Sequence, residues 1–126
     1  MKKALALLPL AAVLAAPAHA AKGPSITVSP ATVVVGDSLT VTGRHWPVIE
    51  FCSRDVRFSL RSATHPRFHL GNATVTKRGR FTFTYKVKRR IVKPGAWRLR
   101  ANMMCESGKD GSPRPIKVTV HITVVN

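Results

Sequence analysis

The sequence predicts an all-β, antiparallel β-sandwich of about seven strands. Three observations carry that expectation. Apolar and polar residues alternate at period two in one segment after another, turn residues punctuate the segments, and no stretch after residue 24 repeats its apolar residues at i, i+3 and i+4. Alternation at period two puts one face of a strand in a core and the other in water. A mature chain of about a hundred residues can bury one modest core, so a single domain is expected.

Ahead of the first strand, residues 1–20 have the layout of a cleaved secretory signal peptide. Lys2 and Lys3 form a positive start, Ala4 to Ala16 an apolar run, and Ala18-His19-Ala20 the small residues before a cut at Ala21. The run is broken by Pro9 and Pro17 and falls short of the ~18 apolar residues of a membrane-spanning helix. The expected mature product is one domain over residues 21–126, secreted or held in the periplasm or cell envelope, with no transmembrane segment.

The strands follow in order. "SITVSP" (25–30) is closed by Pro30, and "TVVVGDSLTVTG" (32–43) folds at Gly36-Asp37 into a short strand and a longer one. "SRDVRFSLRS" (53–62) alternates Val56, Phe58 and Leu60 against Asp55, Arg57, Ser59 and Arg61. "RFHLGNATVT" (67–76) is weaker, with a break at Gly71-Asn72, and Lys77-Arg78-Gly79 reads as a tight hairpin turn into the next segment. "RFTFTYKVK" (80–88) sets Phe81, Phe83, Tyr85 and Val87 against Thr82, Thr84, Lys86 and Lys88. "AWRLRANMMC" (96–105) opens after Pro94-Gly95 with Trp97, Leu99, Ala101 and Met103 on one face. After the turn-rich connection 106–115, "IKVTVHITVV" (116–125) closes the domain with Ile116, Val118, Val120, Ile122 and Val124 inward.

"ITVSPATVVVGDSLTVTGRHWP", followed by "PGAWRLRA", resembles the bacterial immunoglobulin-like domains of secreted and cell-surface proteins. Those domains commonly carry a "TVSP" strand, a "GDxLTVTGxG(W/F)xP" strand and turn, and "PGxY/WxxxA" at the sixth strand. The likeness spans nearly the whole mature chain. It departs at His45, where glycine is usual, and in the pair Cys52 and Cys105. It implies an immunoglobulin-like sandwich and a habit of binding or spacing, and it brings no catalytic residue, because fold does not fix function.

The two cysteines bear on compartment and fold. Cys52 shares its parity with Val56, Phe58 and Leu60, and Cys105 with Trp97, Leu99 and Met103, so both point inward. In the fold that the resemblance implies, the third and sixth strands are antiparallel neighbours, and the start of one lies beside the end of the other. A Cys52–Cys105 disulfide is the economical reading for an exported chain. It closes a loop of about 54 residues, worth ~4 kcal/mol in the chain-entropy account. Two buried free thiols or a metal site are the alternatives.

Chemistry is otherwise scarce. The carboxylates Asp37, Glu50, Asp55, Glu106 and Asp110 form no pair placed for acid–base work. His65 and His69 stand at i, i+4, which chelates a metal from a helix but leaves ~13 Å between positions on a strand. No nucleophile motif is present, so neither enzyme activity nor a cofactor or metal is expected.

The abnormal feature is charge. The chain holds 21 Lys and Arg against 5 Asp and Glu, a formal +16, which loss of Lys2 and Lys3 with a leader lowers by two. In an immunoglobulin-like sandwich, Arg57, Arg61, Arg98, Arg100 and Lys117 fall on the outer face of one sheet. Lys77, Arg78, Arg80, Lys86 and Lys88 fall on the other sheet or its hairpin. One reading is a solvated cationic surface that keeps sheets from pairing edge to edge. The other is adhesion to a polyanion: acidic wall polymer, anionic lipid or extracellular nucleic acid. With the strand aromatics inward, no stacking platform for specific nucleic-acid readout is expected. The expected function is a non-enzymatic interaction or structural module at the envelope or outside the cell. The alternative is a secreted cationic protein that binds polyanions through a basic sheet face.

Overall fold

A computed structural model of the chain describes residues 16–19 (backbone only), 23–106 and 111–126. The basic start and most of the apolar run of the expected signal peptide, its cut site and loop residues 107–110 lie outside the described residues.

The described residues form strands joined by turns and loops: β1 (Ala16–His19), β2 (Ser25–Ser29), β3 (Thr32–Val34), β4 (Ser38–Arg44), β5 (Cys52–Arg61), β6 (Phe68–Thr74), β7 (Phe81–Lys86), β8 (Gly95–Glu106) and β9 (Pro113–Val125). One sheet has the order β1-β2-β4-β7 and the other β3-β9-β8-β5-β6. The two face each other across one core. Ile26, Val28, Leu39, Val41 and Phe81 of the first sheet pack with Val56, Phe58, Leu60, Leu99, Ala101, Met103, Val120 and Ile122 of the second. Phe58 stacks on Phe83 with ring centroids 4.3 Å apart and meets Phe81 edge-on at 5.3 Å. The inward parity expected for 53–62, 80–88 and 96–105 agrees with this burial, with Phe83 and Tyr85 half-buried rather than fully so.

Four details depart from the sequence expectation. The strand count exceeds seven, because residues 32–43 split at the Gly36 turn into two strands in different sheets and residues 16–19 add β1. The pairing is not antiparallel throughout: β3 runs parallel to the end of β9, Thr32 opposite Thr123. The chain leaves the first sheet after β2, contributes three residues to the second, and returns at the turn, where Gly36 donates to the Val87 carbonyl and Val87 to that of Asp37. It is the backbone of Asp37 that anchors this turn.

The turn at Lys77-Arg78-Gly79 is tight, as Thr76 donates to the Arg80 carbonyl at 2.7 Å and Gly79 to that of Thr76 at 3.0 Å. It is nevertheless no hairpin between paired strands. β6 stays with β5 as far as Val75, whose carbonyl takes two hydrogen bonds from the Arg54 guanidinium, while β7 pairs β4 in the opposite sheet. Finally, β9 begins at Pro113, earlier than expected. Prolines 113 and 115 are tolerated there because β3 covers only the far end of β9, so one side of the strand needs no amide donors.

Candidate anion-binding face

The outer face of the five-stranded sheet is a grid set by register. β5 and β8 pair antiparallel with Cys52 opposite Cys105, Arg57 opposite Asn102, Ser59 opposite Arg100 and Arg61 opposite Arg98. On the far side of β8, Asn102 faces Lys117, Arg100 faces Thr119 and Arg98 faces His121. On the far side of β5, Arg57 faces Asn72 and Ser59 faces His69. All five expected basic residues therefore lie on one face, in rows about 6.7 Å apart along strands about 4.8 Å apart. Arg57, Arg61, Arg98 and Lys117 are exposed or partly so, and Arg100 is half-buried. Residues directly opposite are a few ångströms apart at Cβ, and like charges in such pairs repel. Arg61 and Arg98 make such a pair. The carboxylates on these strands, Asp55 and Glu106, sit toward the disulfide end of the sheet, outside the three rows.

The Cys52–Cys105 disulfide pins that end between β5 and β8, and Glu106 donates its amide to the Phe51 carbonyl beside it. Phe51 and Ile49, in the loop before β5, and Met104 are exposed apolar side chains at this end.

Arg67 joins the face although the sequence pattern did not place it there. The register of β6 against β5 shifts between Phe58 and Ser59, so that Leu70 is an extra residue without a partner on β5. Such a bulge reverses the side-chain parity beyond it. Phe68 is turned toward the core cluster, and Arg67 and His69 toward the outer face. The same reversal explains why "RFHLGN" alternates poorly, and the broken alternation is the sequence signal that could have found it. Arg67 reaches over β5, its Nη1 donating to Ser59 Oγ at 3.0 Å. Burial, followed by the guanidiniums of Arg100, Arg61 and Arg98, pulls its pKa below the ordinary arginine value. His69 Nε2 is hydrogen-bonded to Asn72 Oδ1 at 2.7 Å.

Between these side chains lies a cavity of about 220 Å³ lined by Arg57, Ser59, Arg67, His69, Arg100 and Asn102, with Phe58 and Phe68 also bordering it. Arg100 Nε and Asn102 Oδ1 are buried without a hydrogen-bond partner in the protein. Buried polar atoms are normally paired, so these two, two positions apart on β8, are exceptions whose partner must come from outside the protein, solvent included. Further along the sheet, the Trp97 indole donates to the Lys93 carbonyl and lies near His65 and Phe68, completing the far end of the core. The lysines and arginines expected on the opposite sheet, Lys77, Arg78, Arg80, Lys86 and Lys88, are exposed and separated from this grid by the core.

No protein-family model and no curated protein matches the chain.

Proposed function

We propose that the chain is an exported, non-enzymatic, immunoglobulin-like module that binds acidic polysaccharide through the outer face of β9-β8-β5-β6. The single observation that carries this reading is the clustering of Arg57, Arg61, Arg67, Arg98 and Arg100 within three adjacent rows. Such a cluster raises the field well above that of the same charge scattered, and it costs the fold repulsion that a polyanion relieves. Arginine is suited to carboxylate and sulfate groups because its planar fork makes two parallel hydrogen bonds. The residues between the arginines are Ser59, Thr119, Asn72, Asn102 and His121, which suit a hydroxyl-rich polymer. They offer no platform of stacked aromatics such as single-stranded nucleic acid uses.

The immunoglobulin-like reading is supported by the sheet order β3-β9-β8-β5-β6, with the third and sixth long segments side by side and a second sheet of β2, β4 and β7. The disulfide supports export, since such bonds persist in oxidising compartments. Among the described residues no helix is long and apolar enough to cross a membrane. A cut before Ala21 would remove β1 and leave β2 as an edge strand.

The test is retention on heparin at physiological salt. Replacing Arg57, Arg61, Arg98 and Arg100 with serine is expected to abolish retention. Replacing four exposed bases on the other side (Lys77, Arg78, Lys86 and Lys88) removes the same charge and is expected to cost much less. Binding should weaken steeply with salt as counterions are released, and a uronic-acid polymer should compete better than single-stranded DNA or anionic vesicles. Equal losses in the two variants, or no retention of the parent, would return the charge to a merely solvating role.

A further inference from the structure

The cavity at the β6 bulge is more specific than the charge around it. Its donors are the guanidiniums of Arg57, Arg67 and Arg100, and Arg100 Nε has no acceptor. Its orphaned acceptor is Asn102 Oδ1, on the residue directly opposite Arg57 and two positions along β8 from Arg100. An anion alone would satisfy the first and leave the second unpaired. Burying an unpaired acceptor costs the desolvation of that group, so a ligand that also supplies a donor has an advantage over one that does not.

We propose that this cavity holds a single unit of an oxyanion bearing a neighbouring hydroxyl, the oxyanion on Arg67 and Arg100 and the hydroxyl donating to Asn102 Oδ1. The proposal rests on the anion-binding reading of the face and narrows it to a ligand class: a uronic acid or a polyol phosphate, which share this chemistry. A volume of about 220 Å³ lies below that of pockets for drug-sized molecules (~300–1,000 Å³), and matches one ring or one phosphorylated triol. Ser59 holds Arg67 over the cavity, so part of the ordering cost is met before the ligand arrives. The two orphaned atoms are covered in the free protein. The ligand reaches them as the Arg100 guanidinium, unpaired at Nε, turns onto its oxyanion while Arg67 stays on Ser59.

The bulge explains why the cavity lies here. A regular β6 would point Arg67 and His69 into the core and Phe68 outward, giving a flat, apolar-edged sheet with no third arginine over Ser59.

The test uses paired probes of equal charge: glucuronate against cyclohexanecarboxylate, and glycerol 1-phosphate against propyl phosphate. Each is titrated into isotopically labelled protein while side-chain resonances are followed. In at least one pair the hydroxylated member is expected to bind about fivefold more tightly, the worth of one neutral hydrogen bond, with shifts centred on Arg67, Arg100 and Asn102. The pair that responds tells a uronate from a polyol phosphate. Asn102→Ala should erase the preference while the far-ultraviolet circular dichroism of the same preparation stays that of the parent. Because the preference is read first in the unaltered protein, misfolding of that variant does not remove the test. Equal binding within both pairs, or shifts spread over Lys77 and Lys86 as well, overturns the proposal. A polymer that is retained without any preference overturns it and leaves the polysaccharide reading standing. A preference without polymer retention upholds the cavity and overturns that reading.

Discussion

Trp46 and Trp97 show how single residues fix the two ends of this core. Trp97 is 3% exposed and Trp46 2%. Trp46 Nε1 donates to the Ser25 carbonyl at 3.1 Å, and its ring meets Phe81 edge-on at 5.4 Å. The chain enters this position through His45 at φ 61°, a left-handed conformation costly for most side chains and tolerated by histidine more than by branched ones. Glycine would adopt it freely. Gly79 is required on the other side: it has φ +77°, and a Cβ there would lie 2.5 Å from the Trp46 carbonyl oxygen. Gly43 serves the same end, since a Cβ on it would collide with the Phe81 ring. Truncating an enclosed aromatic leaves a cavity that paired strands cannot close, so Trp97→Ala should cost about 3–5 kcal/mol. Thr82→Ala, on the exposed face of β7, should cost less than about 1 kcal/mol. Denaturant melts of the two variants check this, and equal losses would contradict the inward parity of these strands.

At the scale of elements, each strand is held by a different device. The disulfide ties the start of β5 to the end of β8 across 53 residues of sequence, and β5 is irregular between Cys52 and Val56. Closing so long a loop is worth ~4 kcal/mol in the chain-entropy account. Reduction should therefore lower the melting temperature by many degrees. On the proposed reading as an exported chain, the intact protein should have the mass of residues 21–126 less two hydrogens, with no thiol open to alkylation before reduction. β7 contributes Tyr85, the chain's single tyrosine. Burial raises its pKa above 10.0. An acid whose folded pKa is raised loses its proton first in the unfolded chain, so stability is unaffected below pH ~10 and falls above it. Near-ultraviolet absorbance should show phenolate forming at higher pH in the folded protein than in urea. Ionisation at the same pH in both would place Tyr85 in water.

Charge governs the behaviour of the whole molecule, which carries a formal +16 over 126 residues. Self-repulsion of this size destabilises the compact state, and the arginine grid concentrates it. Arg67 is lowered first by burial and then by the neighbouring guanidiniums, and the sign decides how to relieve that cost. A cation whose folded pKa is lowered is held less firmly when protonated in the folded state. It therefore destabilises at every pH below the folded pKa, and the loss is recovered only as pH rises through that value. That window is strongly alkaline, so anions rather than pH are the practical lever. Sulfate, phosphate or heparin oligosaccharide should raise the melting temperature of the parent, through binding to the folded state alone. The rise should be clearly smaller for Arg67→Gln. An equal rise in both would make the effect one of bulk ionic strength.

What depends on local periodicity can be read from the residues directly. The alternation of "RFTFTYKV" and "AWRLRANM" fixed which residues face the core, because a strand's side chains can only alternate. Parity also turned Cys52 and Cys105 inward, and with the implied neighbours β5 and β8 the disulfide followed. What depends on a partner strand emerges only when the chain has folded. Whether residues 32–34 belong to β4's sheet or lie parallel to β9 is invisible to periodicity, which reads the same in either sheet. The turn at Lys77-Arg78-Gly79 looks like a hairpin locally and crosses between sheets only because β4 and β5 offer partners on opposite sides. The bulge at Leu70 is a mismatch between two strands: the broken alternation of "RFHLGN" hints at it, and only the pairing with β5 places it. That mismatch turned Arg67 outward, set it over Ser59 beside Arg100, and made a cavity out of what the sequence could describe only as charge.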